Sequence, residues 1–452
     1  MSIRFGTREG RLVIAATALG SGIAFLDGTV VNAALPAIRT DFGTGLSGQQ
    51  WVVTGYLLTL GSLLVVGGSL GDRFGRRTMF VVGLAGFAAT SMLCGLAPTI
   101  GVLAVARVLQ GVCAAALVPA SLAMISAAFH PDDRAAAIGR WTGLAGVSTA
   151  IGPFLGGWLI DTVSWRWVFF INAPLAAVAV WLATRHVPDT RSNEPIQPID
   201  VPGAVCLSAG LGALVFGLIE GPGNGWALTS VAAIVAGTGL LVLFGVVQRC
   251  TAHPMVPPSL FASRRFAGAN LLTFLVWGAL GTVFFLLTIQ LQDTLKYSAL
   301  EAGAASLPIT MMMLLFSSKA GALAQRFGPR AQMTMGPVVI GLGFAALTVV
   351  RPGRSYLGTV LPAILILGTG LTATVAPLTA TVLAAVPDAH VGLGSAINNA
   401  IARVGTLLAI AVLPGVSGLE RSGGFHRAMW ICAFLAAVGG FVGFVTFARS
   451  DS

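Results

Sequence analysis

The chain contains the decapeptide Gly68-Ser69-Leu70-Gly71-Asp72-Arg73-Phe74-Gly75-Arg76-Arg77, which connects two long apolar runs, 49–70 and 78–97. A degenerate copy, Gly321-Ala322-Leu323-Ala324-Gln325-Arg326-Phe327-Gly328-Pro329-Arg330, follows a later apolar run, 300–322. Both copies are short, glycine-containing and basic. The repeat predicts that the chain consists of two related halves.

The composition excludes most soluble proteins. Of the 452 residues, 56% are hydrophobic and 9% are charged, whereas about 25% of a soluble domain is charged. Such a chain has too little polar surface for a soluble enzyme or a nucleic-acid-binding protein. The net charge of +10 comes almost entirely from arginines that are scattered through the predicted loops. This distribution indicates orientation in a membrane, with no nucleic-acid partner.

Apolar segments recur along nearly the whole chain. A membrane-spanning helix needs about 20 mainly apolar residues, and the runs lack the alternation typical of barrel strands. We therefore predict an all-α integral membrane protein with fourteen transmembrane helices. The predicted spans are 12–35, 49–70, 78–97, 100–127, 137–160, 166–184, 203–220, 228–247, 267–290, 300–322, 331–350, 357–385, 392–414 and 428–447.

Two polar stretches, 185–202 and 249–265, divide these spans into groups of six, two and six. The predicted domains are a six-helix bundle in 1–185, a two-helix linker segment in 186–265 and a second six-helix bundle in 266–452. Two pseudo-symmetric bundles around a site at the membrane midplane are typical of secondary transporters.

The basic residues predict the orientation. If the N-terminus is cytoplasmic, 17 of the 26 basic residues lie on the cytoplasmic side, and Arg107 and Arg403 lie inside helices. The excess predicts both termini in the cytoplasm. The first apolar run is long and contains Asp27, so it does not resemble a cleaved signal peptide. We expect a multi-pass protein of a bacterial inner or plasma membrane.

Several chemistries lack the residues they need. The five cysteines are dispersed without a C-x-x-C pair, which argues against disulfides and metal sites. The two lysines, Lys296 and Lys319, are followed by Tyr297 and Ala320, so the sequence lacks the Gly-Lys-Ser/Thr of a P-loop. Uphill transport would then draw on an ion gradient or a partner subunit. A membrane enzyme is disfavoured because we find no paired midplane carboxylates and no Ser/His or Cys/His arrangement. No cofactor is expected.

Asp27 is the one carboxylate that the prediction places near the middle of a span. Burying it costs about 2.5–3.5 kcal/mol on insertion scales, which marks it as functional by default. Desolvation favours the protonated form of a carboxyl, and a nearby cation opposes this. Asp27 is therefore a candidate proton carrier that competes with a cationic substrate. The alternative is a fixed ion pair with Arg107, which stays protonated and either modulates Asp27 or makes a static contact. Arg403, which lies in the thirteenth predicted span, has either a functional role or a static contact within the protein.

Further candidates come from polar, aromatic and glycine positions. Aromatic rings near span ends either anchor the helix at the interface or bind a cation. The segment 152–157 contains glycines for close packing and a proline that interrupts helix hydrogen bonding, so it is a hinge or a plain packing patch. The candidate substrate-binding residues are Asp27, Asn32, Trp51, Tyr56, Asn398, Asn399 and Arg403, and the hinge or packing residues are Gly152, Pro153, Gly156 and Gly157.

Five motifs in order carry a family resemblance. The chain resembles the major facilitator superfamily in its decapeptide 68–77, which is similar to the motif between helices two and three. Leu103-x-x-x-Arg107-x-x-Gln110-Gly111 resembles the fourth-helix motif, and Gly152-Pro153-Phe154-Leu155-Gly156-Gly157 resembles the antiporter motif of helix five. The segments 26–36 and 165–174 resemble the fourteen-helix drug:proton antiporter branch, and they read Leu26-Asp27-Gly28-Thr29-Val30-Val31-Asn32-Ala33-Ala34-Leu35-Pro36 and Trp165-Arg166-Trp167-Val168-Phe169-Phe170-Ile171-Asn172-Ala173-Pro174.

The resemblance implies a proton-coupled exporter of amphipathic or cationic small molecules that works by alternating access. It implies Asp27 as the coupling carboxylate, Arg107 as its modulator and a cytoplasmic gate in which Asp72 pairs with the other half. The gate residues are Gly68, Asp72, Arg73, Gly75, Arg76 and Arg77. The plain alternative for this cluster is positive-inside orientation.

One departure from the family pattern narrows the range of expected substrates. Some relatives carry an acidic residue in a late helix, where this chain has Asn398 and Asn399. Monocations, neutral compounds or one dedicated metabolite are therefore expected. The alternatives are an exporter of one metabolite, antibiotic or lipid, a proton-coupled importer, and a non-transporting receptor or scaffold. The expected partners are the substrate, protons and the lipid bilayer, with the protein acting as a monomer.

Overall fold

The structure, a computed structural model, describes residues 3–190, 198–387, 390–419 and 423–447. Within these residues, fourteen helices are long and apolar enough to cross a membrane. The predicted all-α, fourteen-helix fold class is confirmed. The described residues form no β-sheet, and a single β-bridge joins Ile3 to Phe129.

We number the fourteen helices α1 to α14 in chain order. Their bounds are α1 Arg8–Phe42, α2 Leu46–Phe74, α3 Arg76–Gly95, α4 Ile100–Ala128, α5 Pro131–Thr162, α6 Trp167–His186, α7 Val201–Gly223, α8 Leu228–Cys250, α9 Arg264–Thr294, α10 Ala299–Ala324, α11 Arg330–Val349, α12 Tyr356–Ala384, α13 Val391–Ser417 and α14 Gly424–Thr446.

The first helix is longer than the predicted span 12–35. The Thr7 hydroxyl accepts a hydrogen bond from the Gly10 amide at the start of α1, and Gly43 ends the helix with a left-handed φ of 60°. Pro36 lies inside the helix without ending it. A helix packed among others tolerates such a proline because its neighbours satisfy the freed backbone groups. The prediction ended α1 too early for this reason.

The chain divides into two compact units, Met1–Leu211 with Cys250–Met255, and Gly212–Arg249 with Val256–Ser452. The first unit contains helices α1 to α6 and the second contains α9 to α14. The predicted three-part division, which gives the two linker helices a segment of their own, stays a prediction.

Several connections meet at one end of the first unit. The Ile3 amide donates to Ala128 O (2.9 Å), beside the connection between α4 and α5. The Arg76 amide donates to Thr190 O (3.0 Å), so the α2–α3 connection meets the chain after α6. Arg76 Nη1 also donates to Ala123 O in the last turns of α4 (3.5 Å). The cytoplasmic location of this end stays a prediction. Arg191, Arg421 and Arg449, which enter the charge count, lie outside the described residues.

The sequence repeat is also a backbone repeat. Gly75 follows the end of α2 with a φ of 105°, and Gly328 follows Phe327 with a φ of 80°. The next helix begins at Arg76 in the first unit and at Arg330 in the second. A residue with a Cβ is strained at such φ values, which is why glycine is kept in both copies.

Candidate functional site

Asp27 lies at the centre of a buried hydrogen-bond network in the first unit. Its side chain has no exposed surface. Arg107 Nη1 donates to Asp27 Oδ2 (2.5 Å), while Gln110 Nε2 (3.1 Å) and Asn172 Nδ2 (3.0 Å) donate to Oδ1. Both carboxylate oxygens are therefore satisfied by donors from α4 and α6.

Arg107 is as buried as its partner, with 1% of its surface exposed. Its Nε donates to Val52 O (2.9 Å) and its Nη1 to Gln110 Oε1 (2.6 Å). The guanidinium carbon lies 4.4 Å from the ring centroid of Tyr56. A buried charge is tolerated when it is paired and hydrogen-bonded, and Arg107 meets both conditions. The contact with Asp27 has the geometry of the predicted ion pair, one of the two alternatives for this residue, whereas the coupling role stays a prediction.

Two further residues extend the network. Asn172 Nδ2 also donates to Ser91 Oγ (2.9 Å), and Ser91 Oγ donates to Phe169 O (2.9 Å). We use the term Asp27 network for Asp27, Ser91, Arg107, Gln110 and Asn172. These side chains connect α1, α3, α4 and α6, and the Arg107–Val52 bond adds α2. A change of charge at Asp27 therefore acts on five helices at once.

One acceptor in the Asp27 network is unused. Asn172 Oδ1 is buried and has no hydrogen-bond partner among the described residues. Buried amide oxygens are normally paired, so this atom needs an explanation. It lies on the same amide group that donates to Asp27.

The prediction did not name Ser91, Gln110 or Asn172 as site residues. Gln110 and Asn172 belong to the quoted motifs 103–111 and 165–174, and an amide side chain within an apolar span is itself a signal. Ser91 gave no signal, because a serine can satisfy its hydroxyl within its own helix.

Tyr56 belongs to the network surroundings. Only 2% of its surface is exposed, its hydroxyl donates to Ala24 O (3.4 Å), and its ring meets Phe87 edge-on at 6.5 Å. In this conformation the ring contacts Arg107, with no open face for a substrate. Trp51 is half-buried on the same helix, α2. Substrate contact by either residue stays a prediction.

Asn32 lies on α1, five residues after Asp27, which corresponds to about 7.5 Å along a helix axis. The residue is half-buried, and its Oδ1 atom is buried without a hydrogen-bond partner among the described residues. Because Oδ1 is buried in this conformation, a ligand N–H or O–H group reaches it only when the surrounding side chains move.

In the second unit, the predicted residues of α13 lie near buried polar groups of α9. Asn398 Nδ2 donates to Asn270 Oδ1 (3.0 Å) and to Thr273 Oγ1 (2.8 Å). Asn399 and Arg403 are half-buried on the same helix. The substrate-binding role of the three α13 residues stays a prediction.

The glycine motif of α5 packs on α1 just after Asp27. A Cβ at Gly152 would overlap the Thr29 hydroxyl, and a Cβ at Gly156 would overlap the Val30 side chain. Gly157 is also buried, and the helix continues through the half-buried Pro153 to Thr162. The contacts fit the packing alternative, and hinge motion stays a prediction.

We expect Gly156→Val to destabilise the protein by about 1–3 kcal/mol, because overpacking a tight contact forces neighbouring atoms to move. Gly146→Val is the matched control, since Gly146 lies on α5 with no atom within 4 Å of an added Cβ. Its expected effect is within about 0.5 kcal/mol. Thermal unfolding of both variants in detergent checks this, and equal melting temperatures would contradict the packing assignment.

The predicted gate is paired locally. Arg76 donates to Asp72 Oδ1 through Nε (3.1 Å) and Nη2 (2.9 Å), and Arg77 Nη1 donates to Val187 O (3.1 Å). Arg73 is exposed, with its guanidinium 5.6 Å from the Phe74 ring centroid. The partner predicted for Asp72 in the other half, and the gate itself, stay predictions.

The glycines and one acidic residue shape this connection. Gly68 is half-buried, with Pro119 Cβ 3.7 Å from an added Cβ. A Cβ at Gly75 would lie 2.7 Å from Asp189 Oδ1, and Thr78 Oγ1 donates to Asp189 Oδ2 (3.0 Å). The chain after α6 is therefore fastened to the α2–α3 connection by Asp189, which the sequence analysis did not identify.

The described residues contain no group of three His, Cys, Asp or Glu side chains that could hold a metal ion.

Comparison with known sequences gives one family and several resistance proteins. The family model "Major Facilitator Superfamily" matches residues 17–410. The chain is 38% identical to the puromycin resistance protein pur8 of Streptomyces alboniger, covering 90% of this chain and 81% of that protein. It is 34% identical to the tetracenomycin C resistance and export protein of Streptomyces glaucescens, covering 94% and 79%. It is 36% identical to the multidrug resistance protein Stp of Mycobacterium tuberculosis, covering 90% and 75%.

Solved structures share the fold. An auto-inhibited POT family peptide transporter aligns with a TM-score of 0.72 at 15% identity, covering 98% of both chains. A D-xylose–proton symporter aligns with a TM-score of 0.69 at 15% identity, covering 96% of this chain and 97% of that one.

Proposed function

The chain belongs to the major facilitator superfamily, a family of multi-pass membrane transporters, and we propose that it exports an amphipathic or cationic small molecule in exchange for protons by alternating access. The buried Asp27–Arg107 pair carries this proposal. The names of the relatives, which concern puromycin, tetracenomycin C and multidrug resistance, support export. We place the protein in a bacterial cell membrane as a monomer, with both termini in the cytoplasm and no cofactor.

Protonation of Asp27 would change the stability of the buried Asp27 network. Arg107 stays charged, so a neutral Asp27 would leave a buried cation without its counterion. Breaking a buried pair in this way costs about 3–5 kcal/mol. The deprotonated form of Asp27 therefore favours the conformation described here, in which the Asp27 network is buried. The protonated form favours a conformation in which water or other acceptors reach Arg107. Proton binding thereby shifts the conformational equilibrium.

The unused acceptor of Asn172 would bind the protonated form of Asp27. An ionised carboxylate only accepts hydrogen bonds, whereas a protonated one also donates. The Asn172 amide now presents its NH₂ group to Asp27. A half-turn of the amide would present Oδ1, which has no other partner among the described residues. Asn172 would then serve both protonation states of Asp27.

The substrate would act through α1. Asp27 has no exposed surface, so a cationic substrate has no direct access to the carboxylate in this conformation. Asn32 offers a free acceptor on the same helix. We propose that Asn32 contacts the substrate and that displacement of α1 transmits binding to Asp27. Trp51, Asn398, Asn399 and Arg403 complete the proposed substrate contacts.

A second candidate function is export of one dedicated compound. Two of the relatives are named for single antibiotics, which supports this candidate. A survey of neutral, monocationic and dicationic amphipathic compounds separates the two: a multidrug exporter moves several, and a dedicated exporter moves one.

The test of the function uses proteoliposomes with pH gradients of both signs. Antiport predicts substrate movement against the direction in which the gradient drives protons, and the movement should stop with an uncoupler. Substrate movement in the same direction as protons would indicate the importer. A folded protein that moves no compound under either gradient would indicate the receptor or scaffold.

We expect Asn172→Leu to slow gradient-driven exchange by at least about tenfold, the effect of losing a hydrogen bond to a charged group. Substrate counterflow without a pH gradient should persist. Thr184→Ala is the control, because Thr184 is an exposed residue of the same helix, α6, and its hydroxyl donates within that helix to Val180 O (2.9 Å). Its exchange rate should stay close to that of the wild type. An Asn172→Leu protein with normal exchange would refute the role of this amide.

A further inference from the structure

A cavity of about 320 Å³ lies in the second unit among helices α10, α11 and α12. Met312, Phe316 and Leu323 supply an apolar wall, and Phe316 and Leu323 keep 43% and 51% of their surfaces exposed. Lys319 and Gln332 supply the polar part of the lining. The cavity therefore combines a long apolar surface with one positive charge.

Lys319 is one of two lysines in the chain. It lies eight residues before the end of the continuous helix Leu307–Phe327, which corresponds to about 12 Å. The side chain is exposed, and Nζ lies 5.6 Å from the Phe316 ring centroid. It makes no ion pair with any described residue. An ammonium group within a membrane-spanning helix calls for an anion or for contact with the head-group region.

Gln332 supplies an independent observation. Only 9% of its surface is exposed, and its Nε2 donates to Ala320 O (2.9 Å). Its Oε1 is buried without a hydrogen-bond partner among the described residues. Gln332 lines the cavity, and its buried acceptor lacks the hydrogen-bond donor that such atoms normally have.

The two copies of the repeat differ at this position. In the first unit, Gly68 lies close to Pro119, with Pro119 Cβ 3.7 Å from an added Cβ. In the second unit, the equivalent Gly321 has no atom within 4 Å of an added Cβ. The looser packing around Gly321 accompanies the cavity beside α10.

We propose that this cavity binds an anionic phospholipid whose head group carries a hydroxyl, of the phosphatidylglycerol type. Lys319 would bind the phosphodiester, Gln332 Oε1 would accept a hydrogen bond from the glycerol hydroxyl, and an acyl chain would lie along Met312 and Phe316, which are farther than Lys319 from the basic end of the helix. Arg326 and Arg330 follow at the same end of α10 and α11. A basic helix end attracts the anionic lipids of a membrane surface.

The test is native mass spectrometry of the full-length protein in detergent with three added phospholipids of identical acyl chains. Phosphatidylglycerol has the charge and the hydroxyls, phosphatidylmethanol has the charge without a hydroxyl, and phosphatidylethanolamine has no net charge. We expect retention in the order phosphatidylglycerol, phosphatidylmethanol, phosphatidylethanolamine. Lys319→Gln should weaken phosphatidylglycerol binding about tenfold, because a charge-assisted bond is lost.

Two variants sharpen the result. Lys296→Gln removes the same charge from the other lysine and should bind phosphatidylglycerol as the wild type does. Gln332→Leu should reduce phosphatidylglycerol binding to the level of phosphatidylmethanol. Equal losses in the two lysine variants, equal binding of all three lipids, or displacement of the lipid by water-soluble glycerol phosphate would each overturn the proposal.

Discussion

Asp27→Asn is expected to abolish proton-driven export. The amide has nearly the shape of the carboxyl group but cannot exchange a proton, and Arg107 keeps a charge that nothing neutralises. Gradient-driven exchange in proteoliposomes should fall to the level of empty vesicles. Because the variant resembles the protonated state, the conformation in which the Asp27 network is buried should also lose population, which distance measurements between spin labels on α1 and α4 can detect.

Asp161→Asn is the control for this experiment, since Asp161 is an exposed carboxylate at the end of α5. Its exchange should match that of the wild type. If Asp27→Asn retained gradient-driven exchange, Asp27 would be the fixed ion pair of the structural alternative. The same outcome would leave transport itself intact, so it separates the coupling role from the transport function.

The second large effect concerns stability. Arg107→Gln leaves the Asp27 carboxylate buried without its cation, and the expected cost is about 3–5 kcal/mol. The double variant Asp27→Asn with Arg107→Gln removes both charges. Its stability should lie above that of Arg107→Gln, because no buried charge is left without a counterion. Unfolding of the three proteins in detergent measures the difference.

The double variant also separates folding from function. It should be folded and stable, yet without proton coupling, because no ionisable group is left in the Asp27 network. A double variant as unstable as Arg107→Gln alone would contradict the assignment of the cost to an unpaired charge.

Much of the fold could be predicted from the sequence because the bilayer imposes one simple requirement, a run of about 20 apolar residues per helix. Fourteen such runs give fourteen helices. The predicted ends of the helices were less accurate than their number. α1 extends from a Thr7 cap through Pro36 to Gly43, and hydropathy alone does not register caps or tolerated prolines.

The charged residues of the candidate site could be predicted from the sequence. A carboxylate and a guanidinium inside apolar spans are costly, so Asp27 and Arg107 were identified together, and the structure places them in contact. The sequence did not distinguish which aromatic ring would lie against Arg107. The substrate contact of Tyr56 stays a prediction, and in this conformation its ring lies against the Arg107 guanidinium.

Contacts between distant segments were the least predictable. Asp189 reaches the connection at Gly75 and Thr78, although more than a hundred residues separate them. Nothing in the local sequence around Asp189 indicates this contact, because it depends on the packing of α3 against α6. Asn172 has a local signal, an amide within an apolar span, but its pairing with Asp27 depends on the packing of α6 against α1.

The contact of Gly152 and Gly156 with α1 limits how this protein can acquire new specificity. Bulkier side chains at Thr29 and Val30 would collide with α5, since those positions already fill the space that the two glycines leave. Diversification of the recognised compounds would therefore accumulate at positions of the first helix that do not contact the two glycines, such as Asn32, while Thr29 and Val30 stay constant. Directed evolution for altered resistance should recover substitutions with this distribution.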